Sequence, residues 1–242
     1  MAASAPSFPF GITDPVDELA VIAKKHRLWL HVDACHGGFV LPFANQLGYA
    51  IPDFDFSVDG VTSLSVDLHK LGYANKGASA LLLADVKNEK YQRYTFDNWP
   101  GGRYSTMGLM GSRSAGGMAS AWAMMQILGQ TGYREIVSEI LTARDRLING
   151  LTDIQGIRVL GNPDAYLIAF SSDTADIMAL SEGMLSKGWL TGHLTRPKAI
   201  HLFLDRENVT SISEFLEDLS DTMVEVSMGR WSATSVDADY SR

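Results

Sequence analysis

Asp33 and Lys70 each place a reactive side chain at the end of an apolar run. Asp33 closes Leu28 to Val32 and is followed by Gly37-Gly38, whereas Lys70, preceded by His69, comes just after Val61 to Val66. In open α/β sheets ligands collect at the carboxyl ends of the strands, so both residues are expected on one rim. An amine and a carboxylate on one rim are what pyridoxal 5'-phosphate (PLP) chemistry requires. The amine forms an imine with the cofactor aldehyde, and the carboxylate keeps the pyridine nitrogen protonated so that the ring can absorb electrons. A nucleophilic Lys70 needs a lowered pKa, which predicts a desolvated or cationic neighbourhood.

His31, Asp33, Cys35 and His36 are all metal-ligand types. Strand alternation puts the first three on one side and His36 on the other, and no second cluster completes a tetrahedron. No metal is therefore expected, and Cys35 reads as a small packed residue near the cofactor.

The elements that must carry these residues follow from pattern. Asp14-Pro15 reads as the entry to a helix, with Asp14 as N-cap, Asp17 and Glu18 in the first turn and Lys24 to Arg27 at the end. A helix feeding a buried strand is the crossover of a parallel sheet. Ala78 to Ala84, apolar on both faces, reads as a central strand. Residues 91–117 read as glycine-punctuated loop, followed by helices over about 118–128 and 133–151. Beyond 153, strands at 157–160, 166–170 and 200–204 alternate with helices at 174–187 and 211–228, a small α+β domain. The expected division is 1–130 for a large α/β domain, 131–230 for the small one with its connecting helix, and a polar tail at 231–242.

The chain has 242 residues, of which 46% are hydrophobic and 20% charged, an ordinary globular composition. Its net charge of −8 argues against a nucleic-acid binder. A single cysteine, no secretory leader and no apolar run of bilayer length lead to the expectation of a soluble, cytoplasmic protein without a membrane segment.

Two segments carry a specific resemblance. Ser65-Val66-Asp67-Leu68-His69-Lys70-Leu71-Gly72 resembles the Schiff-base segment of the group II PLP decarboxylases, and His31-Val32-Asp33-Ala34-Cys35-His36-Gly37-Gly38-Phe39 resembles their pyridine-binding segment. Lys70 to Gly77, Trp99-Pro100-Gly101-Gly102-Arg103-Tyr104 and Gly111-Ser112-Arg113 are similar to the sphingosine-1-phosphate lyase branch. The resemblance implies a fold-type I α/β architecture, with part of the large PLP domain followed by a small α+β domain.

It also implies roles. Lys70 would carry the Schiff base, Asp33 would pair with the pyridine nitrogen, and His69 would lie near the cofactor phosphate. Cys35, Gly111 and Ser112 would line the cofactor. Lys76 would meet a substrate phosphate, with Tyr104 and Arg113 on a substrate loop reaching a neighbouring subunit, which implies a homodimer. Lys76 and Arg103 read equally well as solvated charges. The small-molecule substrate would be an amine, cleaved at Cα–Cβ or at Cα–carboxylate. A non-catalytic fragment or accessory subunit is the remaining alternative. Ser105-Thr106-Met107 stands where Ser-Pro-Thr is expected, and His36 where an apolar residue is common, so the substrate stays open. Relatives carry a longer N-terminal half with a phosphate-binding turn, so this chain alone is expected to bind PLP poorly.

Overall fold

Short β-branched and leucine-rich runs separated by polar turns build the strands, and the longer apolar-periodic stretches build the helices. The computed structural model describes residues 1–109 and 111–233. In chain order the elements are β1 (Ala2–Ser4), α1 (Val16–His26), β2 (His31–Asp33), α2 (Leu41–Gln46), β3 (Ser63–Asp67) and β4 (Ser79–Leu83). A 3-10 turn (Val86–Asn88), α3 (Glu89–Gln92), β5 (Tyr94–Phe96) and β6 (Tyr104–Thr106) come next. Then follow α4 (Gly116–Asp153), β7 (Ile157–Val159), β8 (Leu167–Ser172), α5 (Ile177–Ser186), β9 (Gly192–Thr195), β10 (Lys198–Phe203) and α6 (Ile212–Ser227). The expected polar tail lies, from residue 234 on, outside the described residues.

The chain divides into two compact units, one of residues 1–5, 14–39 and 52–130, the other of residues 6–13, 40–51 and 131 onward. The first unit holds a four-stranded sheet in the order β1-β2-β3-β4. β1, β2 and β3 run parallel, with His31 opposite Ser63 and Asp33 opposite Ser65, while β4 pairs antiparallel to β3. The class is α/β. Alternation divides β2 and β3 cleanly. Val32, Leu64 and Val66 are buried on one face, and His31, Asp33, Ser63, Ser65 and Asp67 share the other.

Several expectations need correcting here. Ala78 to Ala84 does not form a central strand. β4 is the edge of its sheet, and Leu81 and Leu82 are 47% and 44% exposed. Asp14 does not cap α1. Its Oδ2 accepts from the Ser4 amide at 2.7 Å, and its own amide bonds the Ser4 carbonyl at 3.0 Å, so the residue clamps the end of β1. The stretch read as loop contains a hairpin, with Tyr94 opposite Thr106 and Phe96 opposite Tyr104. Its strands have three residues each, too short to show a period. Gly129, at φ 56° and ψ −173°, breaks α4 into a run at 116–128 and a run at 130–153. A positive φ combined with an extended ψ is open essentially to glycine alone.

The second unit holds an antiparallel sheet in the order β7-β8-β10-β9. Leu167, Ile168, Ala169 and Phe170 of β8 are fully buried, as are Leu180 and Met184 of α5 and Leu219 of α6. His201 of β10 is buried as well, and its Nε2–H donates to the Phe8 carbonyl at 2.9 Å.

Candidate active site

β2 and β3 end side by side, so the residues that follow them share a rim. Asp33 is the last residue of β2, and Cys35 follows in a turn held by the Gly38 amide on the Ala34 carbonyl. After β3 the chain makes two tight turns. The Lys70 amide bonds the Asp67 carbonyl, the Tyr73 amide bonds the Lys70 carbonyl, and the Ala74 amide returns to the Leu68 carbonyl. Gly72 is required by this winding, since a Cβ there would stand 2.4 Å from the Leu68 carbonyl oxygen. Tyr73 takes a left-handed φ of 58°.

Lys70, Cys35 and Asp33 form a hydrogen-bonded row. The Lys70 ammonium bonds the Cys35 sulfur, and the Cys35 thiol bonds the Asp33 carboxylate. The Asp33 Oδ1 also accepts from the Cys35 amide and from the Ser65 hydroxyl, each at 3.0 Å. Burial would raise the Asp33 carboxyl, but these donors and the His31 ring outweigh it and hold the group below the usual carboxylate range. Asp33 is therefore an anion at neutral pH, and it remains exposed on the rim. Burial pushes the Cys35 thiol up, which keeps it protonated and makes it a packed residue rather than a nucleophile.

The neighbourhood of Lys70 differs from the one expected. Its Nζ lies 3.0 Å from Oδ2 of Asp67, a carboxylate rather than a cation. Burial lowers the Lys70 amine, but bonds to Cys35 and Asp67 together with the Asp67 charge raise it above its ordinary value. Asp67 in turn is raised by burial but lowered further by the Ser79 hydroxyl and by Lys70, ending below its ordinary value. The two partners agree: this is an ammonium–carboxylate pair. His69 donates from Nδ1 to the Ala78 carbonyl at 2.9 Å, and its Nε2 lies 3.8 Å from Asp67 Oδ2.

The structure thus brings Asp33, Cys35, Lys70 and His69 together. Asp67 joins them, a residue sequence reasoning passed over. The available signal was the period-two polar pattern Ser63, Ser65, Asp67 on an otherwise apolar strand. Lys76 is exposed beyond the second turn. In the Tyr104 to Arg113 segment the described residues associate with one another. The Tyr104 hydroxyl is 3.9 Å from the Cβ position of Gly111, and the Arg113 guanidinium is 3.8 Å from that of Gly108. Ser112 is exposed in the same segment. Among the described residues no bond joins Lys76, Tyr104, Gly111, Ser112 or Arg113 to the Lys70 row.

The donor set fits PLP: an amine able to join an aldehyde, and an anionic carboxylate able to pair with a pyridinium, with one thiol between them. Comparison with known proteins agrees. The family described as pyridoxal-dependent decarboxylase conserved domain matches residues 7–172. The chain belongs to this family. Its cofactor is therefore PLP, and its fold that of the fold-type I enzymes.

A sphingosine-1-phosphate lyase of Oryza sativa subsp. japonica is 44% identical over 92% of this chain and 41% of its own length. Sphingosine-1-phosphate lyase 1 of Rattus norvegicus is 38% identical over 93% of this chain and 40% of its own. The solved sphingosine-1-phosphate lyase of Burkholderia pseudomallei superposes with a TM-score of 0.90 at 37% identity, covering 95% of this chain and 53% of that one. The chain thus spans about two fifths of the length of these curated relatives.

Proposed function

We propose that the protein is a PLP-dependent lyase of amine substrates, with cleavage of a Cα–Cβ bond, as in a sphingosine-1-phosphate lyase, as its reaction. The observation that carries this reading is the row Lys70–Cys35–Asp33 at the ends of two adjacent parallel strands. PLP, when bound, supplies the aldehyde and the electron-withdrawing ring that loosen bonds at the substrate's Cα. Lys70 is the amine that holds it, and Asp33 supplies the negative charge for the ring nitrogen. His69 borders the cofactor beside Lys70, Cys35 packs between amine and carboxylate, and Gly111 and Ser112 complete the cofactor set.

Lys76, Tyr104 and Arg113 form the substrate set, and the two cations suit a phosphorylated amine. The names of the relatives support the Cα–Cβ reaction, and the family description supports amino-acid decarboxylation as the second reading. The exposed side chains of Tyr104, Ser112 and Arg113 suit a homodimer with shared sites. The single cysteine suits the reducing cytoplasm. Among the described residues no helix is long and apolar enough to cross a membrane.

Borohydride reduction in the presence of PLP, followed by peptide mapping, should place the pyridoxyl group on Lys70. Asp33→Asn should keep that label but lose orders of magnitude in turnover. Phosphorylated sphingoid bases and amino acids, assayed for aldehyde and for carbon dioxide release, separate the two reactions. A label on Lys76 in place of Lys70 would overturn the assignment.

A further inference from the structure

The polar face of β2 and β3 carries a line of hydrogen bonds that begins well away from Lys70 and ends on Asp33. Trp29 Nε1–H donates to the Ser63 hydroxyl oxygen at 2.7 Å. Ser63 and Nδ1 of His31 are 2.8 Å apart, and Nε2 of His31 is 3.2 Å from the Ser65 hydroxyl. Ser65 donates to Asp33 Oδ1 at 3.0 Å.

With a neutral His31 ring, the two ends dictate every proton between them. An indole N–H can only donate, and an ionised carboxylate can only accept. Ser65 gives its one proton to Asp33, so it must accept from His31, and Nε2 of that ring must bear hydrogen. In the neutral ring Nδ1 is then bare and takes the proton of Ser63, whose oxygen receives the indole. All the dipoles therefore point the same way, toward the carboxylate. The parallel register makes this possible by setting His31 opposite Ser63 and Asp33 opposite Ser65, on one face. Ser63 is 2% exposed, and a buried hydroxyl so placed is costly unless both its donor and acceptor roles are used.

We propose that His31 is a positioning residue for the cofactor-binding carboxylate, acting through the ordered chain Trp29–Ser63–His31–Ser65 to fix the orientation of Asp33. This rests on the reading of Asp33 as the partner of the pyridine nitrogen. An exposed strand-end carboxylate would otherwise rotate about Cβ–Cγ. Two donors on Oδ1, Ser65 from the neighbouring strand and the Cys35 amide from its own turn, hold its plane. Aligned dipoles ending on the carboxylate also favour its charged form, in keeping with the lowered carboxyl of Asp33. The chain crosses between strands, so it ties Asp33 to β3, the strand that leads into the Lys70 turn.

The test uses the 242-residue chain labelled with 15N-histidine and 13C-aspartate. Without cofactor, long-range proton–nitrogen correlation should show His31 with Nε2 protonated and Nδ1 bare. His31→Leu and Ser65→Ala should shift the Asp33 carboxyl titration upward, and Ser65→Thr, which keeps the hydroxyl, should not. His31→Gln retains an N–H at the ε2 position and should restore the wild-type titration. An Nδ1–H tautomer, or an Asp33 titration unmoved in both His31→Leu and Ser65→Ala, sinks the proposal. Reductive labelling of Lys70 by PLP is read separately. If the titrations move as expected but Lys70 takes no label, the ordered chain stands and the cofactor reading falls.

Discussion

Lys70 stands on the rim as an ammonium, because Asp67 at 3.0 Å holds the proton on it. The attraction is double-sided. Asp67 is kept anionic by the amine and by Ser79, and both members of the pair lie mostly out of water. Such a pair positions the nitrogen at the cost of its nucleophilicity, since only the neutral amine adds to an aldehyde. The sequence pointed to the amine but not to this restraint. Asp67 sits three residues before Lys70, and only the winding of the turn shows that the two side chains meet. Removing the charge while keeping the shape should release the amine. An adjacent opposite charge commonly shifts a titration by about 1–3 units, so Asp67→Asn should raise the rate of reductive labelling of Lys70 near neutral pH roughly tenfold or more. The pH–rate profile of labelling checks this, and an unchanged profile would mean that Cys35 alone sets the state of Lys70.

At the scale of elements, much of the frame was legible because period and apolarity agreed. The strands carrying Asp33 and preceding Lys70 were readable as apolar runs, and the helices around 177–186 and 212–227 as periodic stretches. β4 misled, because an apolar strand at an edge has the same composition as a central one. β1 was missed because Ala2-Ala3-Ser4 offers three small residues and no period. The polar face linking His31 to Asp33 was hidden for another reason: the register joins residues more than thirty apart, and no local pattern encodes register. The sheet of the second unit carries its own pH dependence. His201 of β10 is kept neutral by burial, which outweighs its bond to the Phe8 carbonyl, and burial likewise lowers His193 of β9. Their folded pKa values lie below the unfolded one, so the folded form binds fewer protons. Stability is full above about pH 6.5 and is lost as the pH falls below it, by at most about 1.4 kcal/mol per pH unit for each proton taken up. Urea titrations between neutral and mildly acidic pH should show this slope. In His201→Gln, which keeps an N–H for Phe8 but cannot titrate, the slope should shrink to the part contributed by His193. An equal slope in both proteins would remove His201 as its source.

On the scale of the whole molecule, the first unit leaves several large apolar side chains in water. Beyond β4 an unpaired strand edge remains among the described residues, and Leu81 and Leu82 lie on it about half exposed. In the run of α4 before Gly129, Met118 and Trp122 are 73% and 65% exposed, and Met125 extends the same i, i+4, i+7 stripe. The inner face of that run is occupied elsewhere, with Ala121 packed against Ala74 and Ala78 and the Ser120 hydroxyl bound by the Asn75 amide. The stripe therefore cannot turn inward without breaking existing contacts. An open edge and a contiguous apolar face are each sites of association. The net charge of −8 opposes association only weakly at physiological salt, where the screening length is about 8 Å. The 242-residue chain is accordingly expected to self-associate at micromolar concentration and to bind an apolar dye. Trp122→Lys should reduce both without loss of helical signal, because the side chain contributes little to the core. Leu81→Lys should act independently through the edge, and the double variant should be closest to a monomer. Light scattering across a concentration series checks the order of the four proteins. A wild-type chain that stays monomeric throughout, with no dye bound, would show that these surfaces are tolerated in water and are not interfaces.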